Sequence, residues 1–210
     1  MAMKVLLVNG SARADGNTRL ALEEVGKTLK ENGVDYEIVG IGTQPVHGCI
    51  ACGRCSELGR CVFDDDPCNL IARKLAESDA LVVGTPTYYG QPSGALLALM
   101  QRMLYSQSHL AMNKPAAGIA VCRRGGATAA LQSLTMMFQL QHMPMVTSQY
   151  WNIVYGRAEG EAALDTEGMQ TMRALGRNMA FLLKRIHSQE PVPYPEVEPW
   201  EPMHFIRQSV

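Results

Sequence analysis

Short apolar runs alternate with longer amphipathic stretches along most of the chain. Residues 4–9, 80–84 and 115–122 form three of these runs, and each is followed by glycine or polar residues. Apolar runs of this length are typical of strands that are buried on both faces of a parallel sheet. A more polar run over residues 35–39 is a fourth strand candidate, and we expect a fifth strand near Val146.

The stretches between the strand candidates carry apolar residues at helical spacing, and several begin with residues that cap helices. Strands that alternate with helices imply right-handed crossovers and a parallel sheet covered on both faces. Five strands and five helices within about 190 residues predict an α/β fold, a flavodoxin-like doubly wound five-stranded parallel sheet with helices on both faces. The predicted helices cover residues 17–32, 66–77, 93–106, 127–141 and 167–187.

We assign residues 1–188 to one domain, which includes a cysteine-rich loop over residues 47–66. Residues 189–210 differ in composition, because they contain five of the eleven prolines together with aromatic residues. We interpret this segment as a C-terminal tail, either a flexible extension or an arm that packs on its own domain or on a partner subunit. Its aromatic residues are Tyr194, Trp200 and Phe205.

Composition and charge exclude several functional classes. Hydrophobic residues make up 47% of the 210 positions, which is too many for a disordered chain. The formal net charge is −1, so neither nucleic acid nor an anionic membrane is an expected partner. No apolar run approaches the ~20 residues that span a bilayer. The first ten residues also lack the features of a signal peptide, so we expect a cytoplasmic protein.

Three loops of unusual composition follow the predicted strands, and we expect them to form one site. In a doubly wound sheet, the ligand binds beyond the carboxyl ends of the strands, where the strand order reverses. The loops cover residues 10–18, 84–90 and 122–127.

The first loop has the composition of an anion site. The start of a helix offers free backbone N–H groups and a positive dipole end, and glycines let the backbone approach a ligand closely. The loop matches neither the dinucleotide-binding glycine pattern nor a Walker loop, so a mononucleotide phosphate is favoured over NAD. A capped turn without a ligand is the alternative. The residues expected to hold the phosphate are Ser11, Arg13, Gly16, Asn17 and Thr18.

The other two loops suit a planar ring. Two adjacent tyrosines in the second loop can cover a ring system, although they can also serve packing or subunit contact. In the third loop, paired glycines and an arginine create a positive environment that would stabilise the negative charge of a reduced flavin; a solvated arginine pair is the alternative. The residues expected at the ring are Pro86, Thr87, Tyr88, Tyr89, Gly90, Arg124, Gly125 and Gly126.

Four cysteines lie close together with the spacing C-x2-C-x2-C-x5-C, at Cys49, Cys52, Cys55 and Cys61. In a cytoplasmic chain such clustering indicates metal or redox chemistry rather than a disulfide framework. Zinc sites usually pair two more widely separated C-x2-C knuckles, whereas this run is closer to ferredoxin-type ligation, with a longer last gap. Reduced thiols without metal remain an alternative. We interpret the adjacent acidic residues 64–66 as a helix-capping run.

In order and spacing, these motifs resemble the NADPH-dependent FMN reductase family of flavodoxin-like proteins. The cysteine segment narrows the resemblance to the iron–sulfur flavoprotein branch of that superfamily, and the likeness covers nearly all of residues 3–187. The motifs that carry it are Gly10-Ser-x-Arg, Gly16-Asn-Thr, Gly84-Thr-Pro-x-Tyr-x-Gly, Tyr150-Trp-Asn and Asp165-x-x-Gly-Met.

The resemblance implies an FMN-dependent oxidoreductase that passes electrons from NAD(P)H or a reduced carrier, through FMN, to an unidentified small-molecule or protein acceptor. It implies that the four clustered cysteines bind a 4Fe–4S cluster and that Cys68 and Cys122 are spare thiols. Because the flavin carries the chemistry, no catalytic side chain is predicted. The family, together with the Met136, Met137 and Leu140 stripe, indicates a homodimer or homotetramer.

Two other functions remain open at this point. One is a flavodoxin-type electron-transfer protein without catalytic activity, although such carriers tend to be strongly acidic and this chain is not. The other is a redox sensor that uses its cysteines and binds no flavin.

Overall fold

The strands and helices were located in a computed structural model that describes residues 3–188. The interpretation of residues 189–210 as a tail falls outside the described residues. The strands are β1 (Lys4–Asn9), β2 (Asp35–Gly40), β3 (Ala80–Tyr88), β4 (Gln91–Pro92), β5 (Ala116–Cys122) and β6 (Ile153–Tyr155). The α-helices are α1 (Asn17–Glu31), α2 (Cys55–Leu58), α3 (Cys68–Ala76), α4 (Gly94–Ser106), α5 (Ala127–Leu140) and α6 (Thr166–Ile186).

Five strands form a parallel sheet in the order β2-β1-β3-β5-β6. Successive side chains of a strand point to opposite faces, and in β1 Val5 and Leu7 pack against α1 and α6. Leu6 and Val8 pack on the other face, against α3, α4 and α5. The predicted doubly wound fold is therefore confirmed, and its strand order reverses between β1 and β3. Within residues 3–188, no helix combines the length and apolar character needed to cross a membrane.

The third strand is longer than predicted. Thr87 pairs with Pro92 and Tyr88 with Gln91, so the second half of the expected loop is the end of β3 and a tight hairpin to β4. Tyr89 and Gly90 form its turn with φ angles of 51° and 75°, the two positive values that a type I′ turn requires. Residues 84–90 look like a loop because of their proline and glycines, yet threonine and tyrosine favour strands.

The fifth strand lies further along the chain than predicted. Val146 does contact β5. Its N–H donates to the Ala116 carbonyl at 2.8 Å, and Met145 forms an isolated β-bridge with Ala116. The chain then leaves the sheet and returns as β6, where Ile153 pairs with Ala120. The stretch from Met145 to Ile153 is four residues longer than the stretch of β5 that it pairs with, Ala116 to Ala120. The extra residues leave the sheet, so the fifth strand is split into two pieces.

Candidate functional site

Buried hydrogen bonds fix the loop between β1 and α1. Gly10 donates its N–H to the Gly84 carbonyl at 2.8 Å, which ties the residue after β1 to the middle of β3. A Cβ atom at Gly10 would lie 2.8 Å from the backbone oxygen of Gly84, too close for any residue but glycine. The buried Asn9 side chain accepts the Ser11 N–H at 3.1 Å, and this bond turns the chain out of the sheet.

The amino end of α1 is open to an anion. Gly16 precedes the helix and no side chain caps it, which leaves N–H groups of a fifteen-residue helix free for a ligand. Arg13 is exposed, and within residues 3–188 its guanidinium has no ion-pair partner. Its backbone N–H donates to the Ser11 hydroxyl at 3.1 Å. The loop therefore offers the donors and the positive charge that a phosphate group needs.

Asn17 and Thr18 serve the frame of this loop. The Asn17 amide donates to the Ala158 carbonyl at 2.8 Å and accepts the Ala162 N–H at 3.1 Å. This side chain therefore clamps the segment that follows β6 against the start of α1. Thr18 is buried, and its methyl carbon would lie 3.0 Å from a Cβ placed on Gly84.

The second and third loops are in direct contact. Gly126 has a φ angle of 87°, and a Cβ there would lie 2.9 Å from the Gly90 Cα and 3.3 Å from the Thr87 methyl carbon. The Thr87 hydroxyl oxygen is buried and finds no hydrogen-bond partner within the described part of the chain. A buried hydroxyl is normally satisfied, so this orphaned group points to a polar ligand edge. Tyr88 is 53% exposed and Tyr89 fully exposed.

The start of α5 adds positive potential beside the contact between the second and third loops. Arg124 and Gly125 are exposed, and no side chain caps the helix. Burial raises the pKa of the Cys122 thiol at the end of β5, although its sulfur accepts N–H groups from Arg124 and Ala127. Cys122 is therefore a neutral thiol beneath the loop, and the charge of the loop comes from its arginines.

These three loops fit FMN. The open helix end and Arg13 suit its phosphate, and the orphaned hydroxyl of Thr87 suits a polar group of its ring. The loops that carry the predicted site residues lie side by side at the carboxyl ends of β1, β3 and β5. Asn17 contacts the segment after β6 instead, and the binding of FMN by the other residues stays a prediction.

The four clustered cysteines are free thiols. Cys49 and Cys52 are exposed, and Cys55 and Cys61 are half-buried. This donor set has the chemistry of a 4Fe–4S site. Across residues 3–188, however, no three metal-ligating side chains lie together, so binding requires the cysteine segment to gather its thiols.

The cysteine segment is anchored by residues that sequence patterns did not identify. The Asn69 side chain accepts the Cys61 N–H at 3.2 Å and donates to the Cys61 carbonyl at 2.9 Å. Asp66 accepts the N–H of Cys68, the first residue of α3, at 3.0 Å, and it also forms a buried ion pair with Arg102. The sequence does carry a signal that Arg102 is buried, though not of its partner, because Arg102 falls on the apolar stripe of α4 beside Leu99 and Met103.

Burial also separates Cys68 from the cluster of four. It raises the pKa of the Cys68 thiol to about 12, and the sulfur packs inside the domain near the Leu99 carbonyl. Cys68 is thus a protonated core residue, in line with its expected role as a spare thiol.

Comparison with known proteins gives both sequence and fold relatives. The sequence model of the NADPH-dependent FMN reductase family matches residues 3–158. An iron–sulfur flavoprotein of Methanocaldococcus jannaschii is 32% identical over 192 residues, which cover 88% of this chain and 99% of that protein.

Two solved structures share the fold at low sequence identity. RosB with bound 8-demethyl-8-formylriboflavin-5′-phosphate has a TM-score of 0.66 and 16% identity, covering 88% of this chain and 80% of RosB. A flavodoxin from the domain Archaea has a TM-score of 0.60 and 16% identity, covering 87% of this chain and 99% of the flavodoxin. With its flavodoxin-like fold, its three-loop site and these relatives, the chain belongs to the NADPH-dependent FMN reductase family, in its iron–sulfur flavoprotein branch, and is an FMN-binding oxidoreductase.

Proposed function

We propose that this protein takes electrons from NAD(P)H or a reduced carrier and passes them, through FMN and a 4Fe–4S cluster, to a small-molecule or protein acceptor. The observation that carries the proposal is the meeting of three ligand-competent loops at the carboxyl ends of β1, β3 and β5. The flavin phosphate derivative bound in RosB, which has the same fold, supports the choice of FMN.

Each loop has its own role in this proposal. Ser11, Arg13 and the first N–H groups of α1 bind the phosphate. Thr87 bonds the polar edge of the ring, and Arg124 places positive charge beside it. FMN, when bound, supplies hydride and single-electron chemistry. The side chains bind and orient, and none has to act as a nucleophile or base.

Helix α4 joins the flavin loops to the cysteine segment. At its amino end the Ser93 hydroxyl donates to the Gly10 carbonyl at 2.7 Å. Nine residues later Arg102 donates to the Cys61 sulfur at 3.2 Å, and nine residues span about 13 Å of helix. Cys49, Cys52, Cys55 and Cys61 are the proposed ligands of the cluster, a role supported by the name of the Methanocaldococcus jannaschii relative.

Anaerobic kinetics test the proposed activity. The purified protein is mixed with NADH, with NADPH or with a reduced one-electron carrier, and flavin absorbance is followed in the presence of a quinone. Reduction of the flavin followed by many turnovers of the quinone is the expected result. Flavin reduction without any turnover would contradict an enzyme and indicate an electron carrier instead.

We also propose a homodimer or homotetramer. The outer face of α5 exposes Met136 by 63% and Leu140 by 76%, and Tyr89 protrudes from the hairpin. Apolar side chains clustered in this way are typical of surfaces that meet a partner. Light scattering after size exclusion should give a mass of two or four times 23.0 kDa, and a single-chain mass would contradict this proposal.

A further inference from the structure

Arg102 carries a charge into the interior of the domain. Its side chain is 1% exposed, and that of its partner Asp66 is not exposed at all. Removing two charges from water costs several kcal/mol per ion unless hydrogen bonds satisfy both groups. The groups that Arg102 contacts must therefore offset the cost of burying its charge.

Each nitrogen of the guanidinium group donates a hydrogen bond. It donates through Nη1 to an Asp66 oxygen and, at 3.0 Å, to the His47 carbonyl. It donates through Nη2 to the other Asp66 oxygen at 3.3 Å. Its third nitrogen, Nε, donates to the Cys61 sulfur, 3.2 Å away.

Cys61 is the one clustered cysteine among the described residues whose sulfur accepts a hydrogen bond. Within the described residues no hydrogen bond reaches the sulfurs of Cys49, Cys52 or Cys55, and the first two are exposed. The backbone of Cys61 is held as well, by the Asn69 side chain on both its N–H and its carbonyl. Cys61 is thus the fixed thiol of the four.

An aromatic pair packs beside the buried guanidinium. The Phe63 ring stacks on His47 with centroids 4.2 Å apart, and the Arg102 guanidinium carbon lies 5.1 Å from the Phe63 centroid. A charge in such surroundings acts on its neighbours with far less screening than a surface charge.

We propose that Arg102 is a positioning residue for the iron–sulfur cluster, one that fixes the sulfur of Cys61 as the anchored ligand and raises the reduction potential of the cluster. This inference rests on the proposed function, because it requires the cluster to bind. Hydrogen bonds to ligand sulfurs and nearby net charge set the potentials of such clusters. A cation favours the more negative, reduced form, and Asp66 offsets part of that effect.

The two partners predict shifts of opposite sign. Arg102→Gln removes the positive charge and lowers the midpoint potential of the cluster, whereas Asp66→Asn removes the negative charge and raises it. Arg102→Lys keeps the charge but cannot bridge sulfur and carboxylate with a rigid fork, so its potential lies between those of Arg102→Gln and the wild type. If Arg102 had a purely structural role, the variants would change the amount of cluster that is bound but would not shift its midpoint potential in opposite directions.

Arg60→Gln is the matched control. Arg60 neighbours Cys61 in sequence, but its side chain is 44% exposed and contacts Asp64 and the Cys61 carbonyl rather than the sulfur. The same formal charge is lost in this variant, and solvent screens it. Its potential should therefore shift less than that of Arg102→Gln.

The experiment reconstitutes the full chain and each variant with iron and sulfide without oxygen, assays both elements, and titrates the cluster electrochemically. Wild-type protein with iron and sulfide, together with opposite shifts in Arg102→Gln and Asp66→Asn, supports the inference. Equal potentials in those variants, or shifts of the same sign, overturn it and leave the proposed function intact. A wild-type chain that retains no iron or sulfide overturns both. If Arg102→Gln does not fold, Arg102→Lys and Asp66→Asn decide the sign by themselves.

Discussion

The hydroxyl group of Thr87 is buried and has no hydrogen-bond partner among residues 3–188. Removing the hydroxyl should therefore cost the apo protein no stability but weaken its binding of FMN. We expect Thr87→Val to leave apo stability unchanged or raise it by about 1 kcal/mol, and to weaken FMN binding by about 1 kcal/mol. Urea denaturation and fluorescence titration with FMN measure the two effects, and an unchanged Kd would show that the hydroxyl does not face the flavin.

Arg13 places an exposed positive charge on the loop between β1 and α1. Arg13→Ala should weaken FMN binding by about 1–3 kcal/mol, the range of a hydrogen bond to a charged group. The control is Lys27→Ala, which removes the same charge from an exposed position further along α1. If the two variants bind FMN equally well, Arg13 does not hold the phosphate.

At the scale of elements, the loop before α5 offers a paired test of its backbone. A Cβ at Gly126 would meet the Gly90 backbone in a positive-φ conformation, whereas a Cβ at Gly125 would meet nothing within 4 Å. We expect Gly126→Ala to destabilise the apo protein by about 2 kcal/mol, because a strained conformation costs roughly 1–3 kcal/mol. Gly125→Ala should leave apo stability unchanged, as thermal unfolding of both variants will show. Equal losses in the two would contradict this account of the loop.

The elements that sequence patterns predicted well are those with a clear apolar period. β1 and the helices α1, α4, α5 and α6 agree with the predictions to within a residue or two, because each buries one consistent face. β4 and α2 were missed since two and four residues carry no period. The split of the fifth strand was missed for a related reason, because its gap depends on pairing with β5 rather than on its own sequence.

At the scale of the whole molecule, buried and paired carboxylates make stability depend on pH. Burial alone would raise the pKa of Asp66, but hydrogen bonds from Arg102 and from two backbone N–H groups outweigh it and hold that pKa below its ordinary value of 3.8. Hydrogen bonds from Lys4 and Lys74 lower the pKa of Glu37 from 4.5. Both groups stabilise the fold above their unfolded pKa values, and this contribution is lost as pH falls through the folded ones.

The free energy of unfolding should therefore be steady near pH 6–7 and fall progressively below about pH 5. Urea denaturation at a series of pH values measures it. Asp66→Asn should be less stable at neutral pH and show a shallower acid slope. Stability that rises between pH 6 and pH 3 would contradict the pKa directions given above.

The site could be predicted from the sequence only in part. The three loops were found because the carboxyl ends of neighbouring parallel strands lie at one edge of the sheet, so the loops that follow these strands come close together. The anchor of the cysteine segment could not be found in this way. Arg102 lies 41 positions from Cys61 and 36 from Asp66, and no local pattern encodes which distant groups a buried arginine meets.

We propose that one chain holds both FMN and an iron–sulfur cluster. The most direct test is the absorption spectrum of protein purified without oxygen, with iron and acid-labile sulfide assayed on the same sample. We expect flavin bands, a broad additional absorbance and about four irons and four sulfides per chain, the content of a 4Fe–4S cluster. Flavin bands with no iron after anaerobic reconstitution would contradict the cluster, and protein that binds no FMN when it is added would contradict the account as a whole.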